Sequence, residues 1–342
     1  MKTFKSDNTS GVHEKVLKAM LEANFEHDYP YGADTTTKIA IEKMRDSFGK
    51  DVDVYFVTTG TAANVIGLSG LLRSFEGVVS ADTAHINVDE CGALEKISGS
   101  KIIHVPNRDG KVSIDDIKPL LSVVGDEHAS QPKVISISQT TELGTLYSLD
   151  EIKDIADFAH ENNMYLHMDG ARISNAVVAL DTSFKEMVTD TGVDILSFGG
   201  TKNGMMMGEA IVVLNNEISS RYKFYRKQGM QLLSKMRFVS AQFLAFLDED
   251  VWKINAVNAN SMGRYMVEKL MEFDKIKLKS DFKTNMIFAY MEQDLIDHLL
   301  KRFGFYVIDE REGLIRLVMS FDTNKEDVDG FINSIRDYYN SN

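Results

Sequence analysis

One cysteine, Cys91, in 342 residues excludes an internal disulfide and leaves no second thiolate for a metal site, so no metal centre is expected. With only four prolines and no low-complexity stretch, the chain has no room for a flexible linker. No apolar run approaches the ~18 residues of a membrane span. The opening MKTFKSDNTSG lacks the apolar core of a signal peptide. Basic residues are also in deficit, 38 Lys and Arg against 51 Asp and Glu, with no dense basic run and no basic patch interleaved with aromatics. Binding to nucleic acid rests on neutralising phosphates, so that class of partner is not expected. These absences together predict a cytoplasmic protein with neither a membrane nor a nucleic-acid partner.

The composition that remains, 44% hydrophobic and 26% charged, is that of an ordinary globular chain long enough for a large core and about two domains. From about residue 52, short β-rich runs alternate with helical patterns. DVYFVTT, VVSA, KIIHVP, KVISIS, YLHMDG, DILSFGG and GEAIVVL read as strands. TAANVIGLSGLLRSF, NVDECGALEKIS, IDDIKPLLSVV and LDEIKDIADFAHENN read as helices between them. Ser148 and Glu151 stand at the spacing of a capping box at the start of the last of these. Such alternation predicts an α/β fold with a mainly parallel sheet, in which functional residues gather beyond the carboxyl ends of the strands. Residues 215–275 read as mostly helical, and the remainder, to residue 342, mixes strands with helices as a smaller α+β unit. The expected division is a large domain over 1–245 and a small C-terminal domain over 246–342, with the segment of about residues 1–30 packing on the latter.

Four features fall at predicted strand ends. TTGTAAN (58–64) lies between a strand and a helix, where Gly60 and Thr61 present backbone N–H groups at a helix N-terminus, a natural phosphate cradle. An ordinary strand–helix turn has the same composition, and neither a GxGxxG nor a Walker A pattern is present. In HMDGAR (167–172), Asp169 ends an apparently buried strand and needs a positive partner. Arg172 is one candidate; a protonated ring nitrogen is another. Lys202 lies among small residues in SFGGTKNGMMMG (197–208), where desolvation or nearby cations lower an amine's pKa and favour Schiff-base chemistry. The small residues are expected to let a cofactor approach the chain closely. His85, in SADTAHINVDE, is read alone as a structural histidine more readily than a functional one. The order cradle, carboxylate, lysine, with 33 residues from Asp169 to Lys202, meets the three demands of pyridoxal phosphate: an anchor, a partner for the pyridine nitrogen, and an amine.

With these groups in place, the sequence resembles the L-threonine aldolase (β-eliminating lyase-related) family of fold-type-I, aspartate-aminotransferase-like pyridoxal-phosphate enzymes. SDNTSG (6–11), YGADTTT (31–37), TTGTAAN, AHINVDECG (84–92), HMDGARISNA (167–176), GGTKNG (199–204), MRF (236–238) and IRLVMSFDT (315–323) carry the resemblance nearly end to end. It implies that Lys202 holds the cofactor, Asp169 partners its ring nitrogen, Arg172 lies near its phenolic oxygen and His85 stacks on its face. Gly60 and Thr61 match phosphate ligands, and Arg237 matches an arginine that reaches a neighbouring subunit's phosphate. Ser6 and Arg316 match groups that bind the substrate carboxylate, the latter bidentate as guanidinium favours; Tyr31 and Glu90 match substrate-side or supporting positions. The implied assembly is a homo-oligomer, dimer or tetramer, with a shared site. The implied reaction cleaves Cα–Cβ of a β-hydroxy-α-amino acid, converting L-threonine or L-allo-threonine to glycine and acetaldehyde.

Two departures bear on the substrate. Where many family members carry ENTHN, whose histidine contacts the substrate hydroxyl, this chain places Thr141, which is not a competent base near neutral pH. That leaves His85, a water, or no base at all. GGTKNGMMMGEA also replaces a pattern closer to SKGLGAPVG, so the methionines and Glu209 are expected to reshape the pocket floor. The alternatives are another reaction with the same cofactor (β-elimination, racemisation or transamination) and a non-catalytic binding protein on the same fold.

Overall fold

The computed structural model describes residues 3–49 and 52–341. Seven strands form the larger sheet: β1 (Asp53–Val57), β2 (Glu76–Ala81), β3 (Lys101–Val105), β4 (Gln131–Ser138), β5 (Tyr165–Gly170), β6 (Ile195–Gly199) and β7 (Glu209–Val213). Their spatial order is β1-β7-β6-β5-β4-β2-β3. Strands β2 to β6 pair in parallel, whereas β7 is inserted antiparallel to both β1 and β6. The reversal has a local cause. Only residues 200–208 separate β6 from β7, and a parallel crossover takes a dozen or more residues. Strands β6 and β7 are buried along their whole length, as expected of central strands covered on both faces.

The helices Gly60–Ser69 and Leu149–Glu161 follow β1 and β4. The second opens with the capping box: Ser148 Oγ accepts from Glu151 N at 3.1 Å, and a Glu151 carboxylate oxygen accepts from Ser148 N at 2.7 Å. NVDECGALEKIS is not one helix. It breaks into His85–Val88 and Ala93–Ser98, with Cys91 and Gly92 at φ 55° and 67° between them. This left-handed kink turns Glu90 inward, where its carboxylate is bonded to His85 and Asn64.

A second, antiparallel sheet comprises β8 (Lys277–Leu278), β9 (Met286–Tyr290), β10 (Tyr306–Asp309) and β11 (Leu314–Val318), in the order β10-β11-β9-β8. Its apolar face packs with residues of the helices Val251–Leu270, Gln293–Leu300 and Lys325–Ser341 into a core separate from that of the larger sheet. Phe4 belongs to this second core, held by Phe4 N donating to Gly304 O and Val318 N donating to Phe4 O, each at 2.8 Å. The helix Val251–Leu270 spans both cores, with Trp252 4.4 Å from Phe184 at one end and Met266 and Leu270 in the second core at the other.

Candidate active site

The C-terminal ends of β1, β4, β5 and β6 surround a cavity of about 290 Å³. At the end of β1, Thr59 caps the helix Gly60–Ser69, its Oγ1 accepting from Ala62 N at 3.1 Å. The N–H groups of Gly60 and Thr61 lie in the first turn, where no intrahelical acceptor exists, at the positive end of the helix. A Cβ at Gly60 would meet nothing within 4 Å, so this side of the cavity is open to a ligand. Glycine serves a different end at position 199, where a Cβ would lie 2.4 Å from Ala171 O. There the small residue lets β6 pass close to the turn carrying Arg172, so the contact that requires it is with protein and not with a cofactor.

Asp169 is the penultimate residue of β5 and borders the cavity. Its carboxylate accepts from Asn64 Nδ2 at 2.8 Å and from Ala171 N at 3.0 Å. The same Asn64 amide donates to Glu90 Oε1 at 2.8 Å, and Glu90 Oε1 meets His85 Nδ1 at 2.8 Å. His85, Glu90, Asn64 and Asp169 thus form one hydrogen-bonded chain along the wall. The bond to Glu90 raises the pKa of His85 above its ordinary value, outweighing partial burial. Asn64 Oδ1, Glu90 Oε2 and Thr140 Oγ1 are buried beside the cavity without a partner among the described residues.

Arg172 does not pair with Asp169. Its Nε and Nη2 donate to Asp7 Oδ2 and Oδ1 at 2.7 and 2.9 Å, a bidentate bond to a carboxylate 165 residues away in sequence. Asn285 Nδ2 donates to Asp7 as well, at 3.2 Å. Burial pushes Asp7 up, but the Arg172 and Lys202 charges and these bonds outweigh it and hold the carboxyl below its usual range. Lys202 lies in the turn after β6 and borders the cavity. The Arg172 guanidinium, then burial, lowers its pKa despite Asp7, Asp169 and Glu209 nearby. An amine so placed is more readily neutral and nucleophilic than a surface lysine.

His85, Gly60, Thr61, Asp169, Arg172, Lys202 and Glu90 are therefore brought to one cavity; Ser6 and Arg316 lie beside it, next to Asn8 and within reach of the Arg172 charge respectively, whereas Thr141, Tyr31 and Arg237 do not border it. Thr141 is fully buried and turned away, its hydroxyl bonded to Thr145 Oγ1 at 2.8 Å and to Thr145 N at 3.1 Å. Its neighbours Thr140 and Glu142 reach the cavity instead. Ser6 caps the short turn Asp7–Thr9, placing Asn8 in the wall. Arg316, on β11, stacks its guanidinium 4.8 Å from the Tyr306 ring centroid. Its Nε is buried without a partner among the described residues, and burial, then Arg172, lowers its pKa. Tyr31 is exposed beneath Lys227, and Arg237 donates to Glu26 O at 3.1 Å; neither borders this cavity. Sequence reasoning missed Asn64, although it stands one helical turn after Gly60 on the same face. It also missed Asp7, whose partner no local pattern could indicate.

The family profile described as Beta-eliminating lyase matches residues 3–294. A low specificity L-threonine aldolase from Pseudomonas aeruginosa is 38% identical over 334 residues, covering 97% of this chain and 96% of that protein. The chain belongs to the beta-eliminating lyase family. A second low specificity L-threonine aldolase, from a Pseudomonas species, is 37% identical and covers 94% and 93% of the two chains. Among solved structures, a Leishmania major threonine aldolase superposes with a TM-score of 0.94 at 29% identity, covering 99% of both chains. A NifS-like protein from Rickettsia africae, at 15% identity and a TM-score of 0.73, shares the fold. The architecture is the fold-type-I α/β arrangement that the sequence resemblance implied. The walls of the cavity also carry Thr140, Glu142 and Glu209.

Proposed function

We propose that the protein is a pyridoxal-5′-phosphate-dependent aldehyde lyase that cleaves the Cα–Cβ bond of β-hydroxy-α-amino acids, taking L-threonine or L-allo-threonine to glycine and acetaldehyde. The observation that carries this is the meeting of Lys202, Asp169 and the open helix end at Gly60 in one cavity. The fit is supported by the first-turn N–H groups of Gly60 and Thr61 and, among the described residues, by the unpartnered polar atoms along the wall and an Asp169 carboxylate bonded only to neutral donors. Both low specificity L-threonine aldolases from Pseudomonas agree with this reading in name.

In this reading Lys202 is the amine that holds the cofactor, Gly60 and Thr61 hold its phosphate, Arg172 lies by its phenolic oxygen and Asp169 keeps its ring nitrogen protonated. When bound, the cofactor supplies the electron sink for the pair released as the Cα–Cβ bond breaks. Arg316 and Ser6 bind the substrate carboxylate; the buried, unpartnered Nε of Arg316 is the donor that supports this. His85 packs on the cofactor and takes the proton of the β-hydroxyl, with Glu90 fixing its ring through Nδ1. Thr141 has no part in this, because its hydroxyl is committed to Thr145. Tyr31 and Arg237 stand outside this cavity and are assigned to that of a neighbouring copy, which makes the working form a homo-oligomer; a cytoplasmic location is part of the same reading, supported by the lack of any helix, among the described residues, long and apolar enough to cross a membrane.

The test is a substrate panel on purified protein. It is expected to be yellow and to release glycine and acetaldehyde from L-threonine or L-allo-threonine, with turnover abolished in Lys202→Ala. Full turnover in that variant, or release of pyruvate or a keto acid with no glycine from any β-hydroxy substrate, refutes the reading.

A further inference from the structure

Glu142 and Glu209 are two cavity carboxyls without a task in that reading. Glu142 is accounted for locally: its Oε1 accepts from Ser138 Oγ at 2.6 Å and from His85 N at 3.0 Å, tying the loop after β4 to the start of the His85 helix. Glu209 is placed differently. It opens β7, where the register sets it opposite Gly199 of β6 on one side and Val57 of β1 on the other. Three residues beyond Gly199 lies Lys202, and three residues beyond Val57 lies Gly60. The residue therefore lies between the strands that lead to the lysine turn and to the helix end, and it lines the same cavity as Lys202, Gly60 and Thr61. It is buried, borders the cavity, and its Oε2 accepts from Gly200 N at 2.9 Å, with a further bond to the Thr201 side chain.

The charged groups that face it are Lys202, from the turn after β6, and Asp169, from β5. Residues 57–69 of β1 and the following helix carry no charge. The helix Arg237–Leu247, whose Phe243 lies near Gly208, carries none after Arg237. Burial pushes the Glu209 carboxyl up to about 7, so near neutrality its charge is decided by what surrounds it. An ammonium at Lys202 favours the carboxylate. A phosphate dianion at the Gly60 end favours the neutral acid.

We infer that Glu209 takes up a proton from solvent when a phosphate monoester settles on the Gly60–Thr61 helix end, so that this one buried group couples phosphate binding to the charge on Lys202. The inference rests on the cofactor reading and makes Glu209 a positioning residue, acting through the turn it holds. Above the carboxyl's own pKa, affinity for a phosphate ester then falls by up to about tenfold per pH unit from this group alone.

Pyridoxal 5′-phosphate binding by wild type and Glu209→Gln, measured from about pH 6.5 to about pH 9 in buffers of different ionisation enthalpy, tests this. The amide oxygen of Gln retains an acceptor for Gly200 N, so the turn is preserved. Wild type is expected to take up more protons on binding, by up to about one per site, and to show the steeper loss of affinity with rising pH. The difference is expected to persist with inorganic phosphate, which brings the charge to the helix end without reacting with Lys202. Equal proton uptake and equal slopes in the two proteins overturn the inference and leave the cofactor reading standing. Wild type that binds no pyridoxal 5′-phosphate overturns the cofactor reading itself. Should Glu209→Gln not fold, Glu209→Asp serves: a carboxylic C=O infrared band that appears on binding shifts in that variant if it belongs to residue 209. A band that stays put overturns the inference.

Discussion

Asp7 and Asp169 are both buried carboxylates that act on Lys202, yet the protein satisfies them in opposite ways. Asp7 is saturated, with both oxygens on the Arg172 guanidinium and a further bond from Asn285. Asp169 receives only neutral donors, Asn64 Nδ2 and Ala171 N, and forms no ion pair among the described residues. A buried carboxylate without a cation is costly, and a fold retains such a group where its charge is used. Asp7 holds the chain together; Asp169 keeps its attraction for a positive charge that arrives in the cavity. Both lie beside the same lysine, so location alone does not separate scaffold from chemistry. The charge of the partner does.

Four substitutions break or sharpen that contrast. The largest effect is expected from Asp169→Asn, which removes the charge but keeps the shape. Turnover falls by about 10²–10³, the size of a lost preorganised electrostatic contact, while the denaturant midpoint barely moves. Asp7→Asn is expected to do the reverse to stability. It leaves a mostly buried guanidinium uncompensated and costs about 3 kcal/mol in chemical denaturation, at the low end of the buried-pair range because Arg172 keeps some exposure. Because the Asp7 pKa is depressed on folding, its contribution is complete above the ordinary carboxyl value of 3.8 and is lost as the pH falls through the lower native value.

Behind Asp169, His167 is buried between Ser136 Oγ at 2.8 Å and Ser197 Oγ at 3.0 Å, and burial lowers it to about 4. Unfolded histidine binds a proton first, so wild-type stability is expected to decline as the pH falls from 6.5 towards about 4. Thermal unfolding of His167→Gln across that window is expected to show a flatter acid limb. The smallest effect is expected from Thr141→Val, which leaves kcat within about twofold and costs about 1 kcal/mol of stability through the lost hydroxyl bonds. A large loss of activity there would return Thr141 to the substrate's side.

Much of this was legible in the chain. Alternating β and helical periods specify a mainly parallel sheet, and strand ends in such a sheet are where Gly60, Asp169 and Lys202 had to converge. The capping box at Ser148 was readable because both halves lie within one helical turn. What could not be read depends on contacts distant in sequence or on single dihedrals. The NVDECG segment has helical composition, yet a left-handed kink at Cys91 and Gly92 turns Glu90 onto His85. Thr141 aligns with a substrate-contacting position, but the turn it occupies points its hydroxyl at Thr145 and presents Thr140 and Glu142 to the cavity.

The sequence by itself determined the fold class, the family and the order of the chemical groups, because these arise from periodicity and from motifs only a few residues long. Tertiary structure alone decided which carboxylate meets which cation. Asp7 and Arg172 are 165 residues apart, and a charge pair forms where folding brings two groups within about 3 Å, whatever their separation along the chain. With Arg172 committed to Asp7, Asp169 is left with neutral donors and Lys202 lies beside a guanidinium that lowers its pKa.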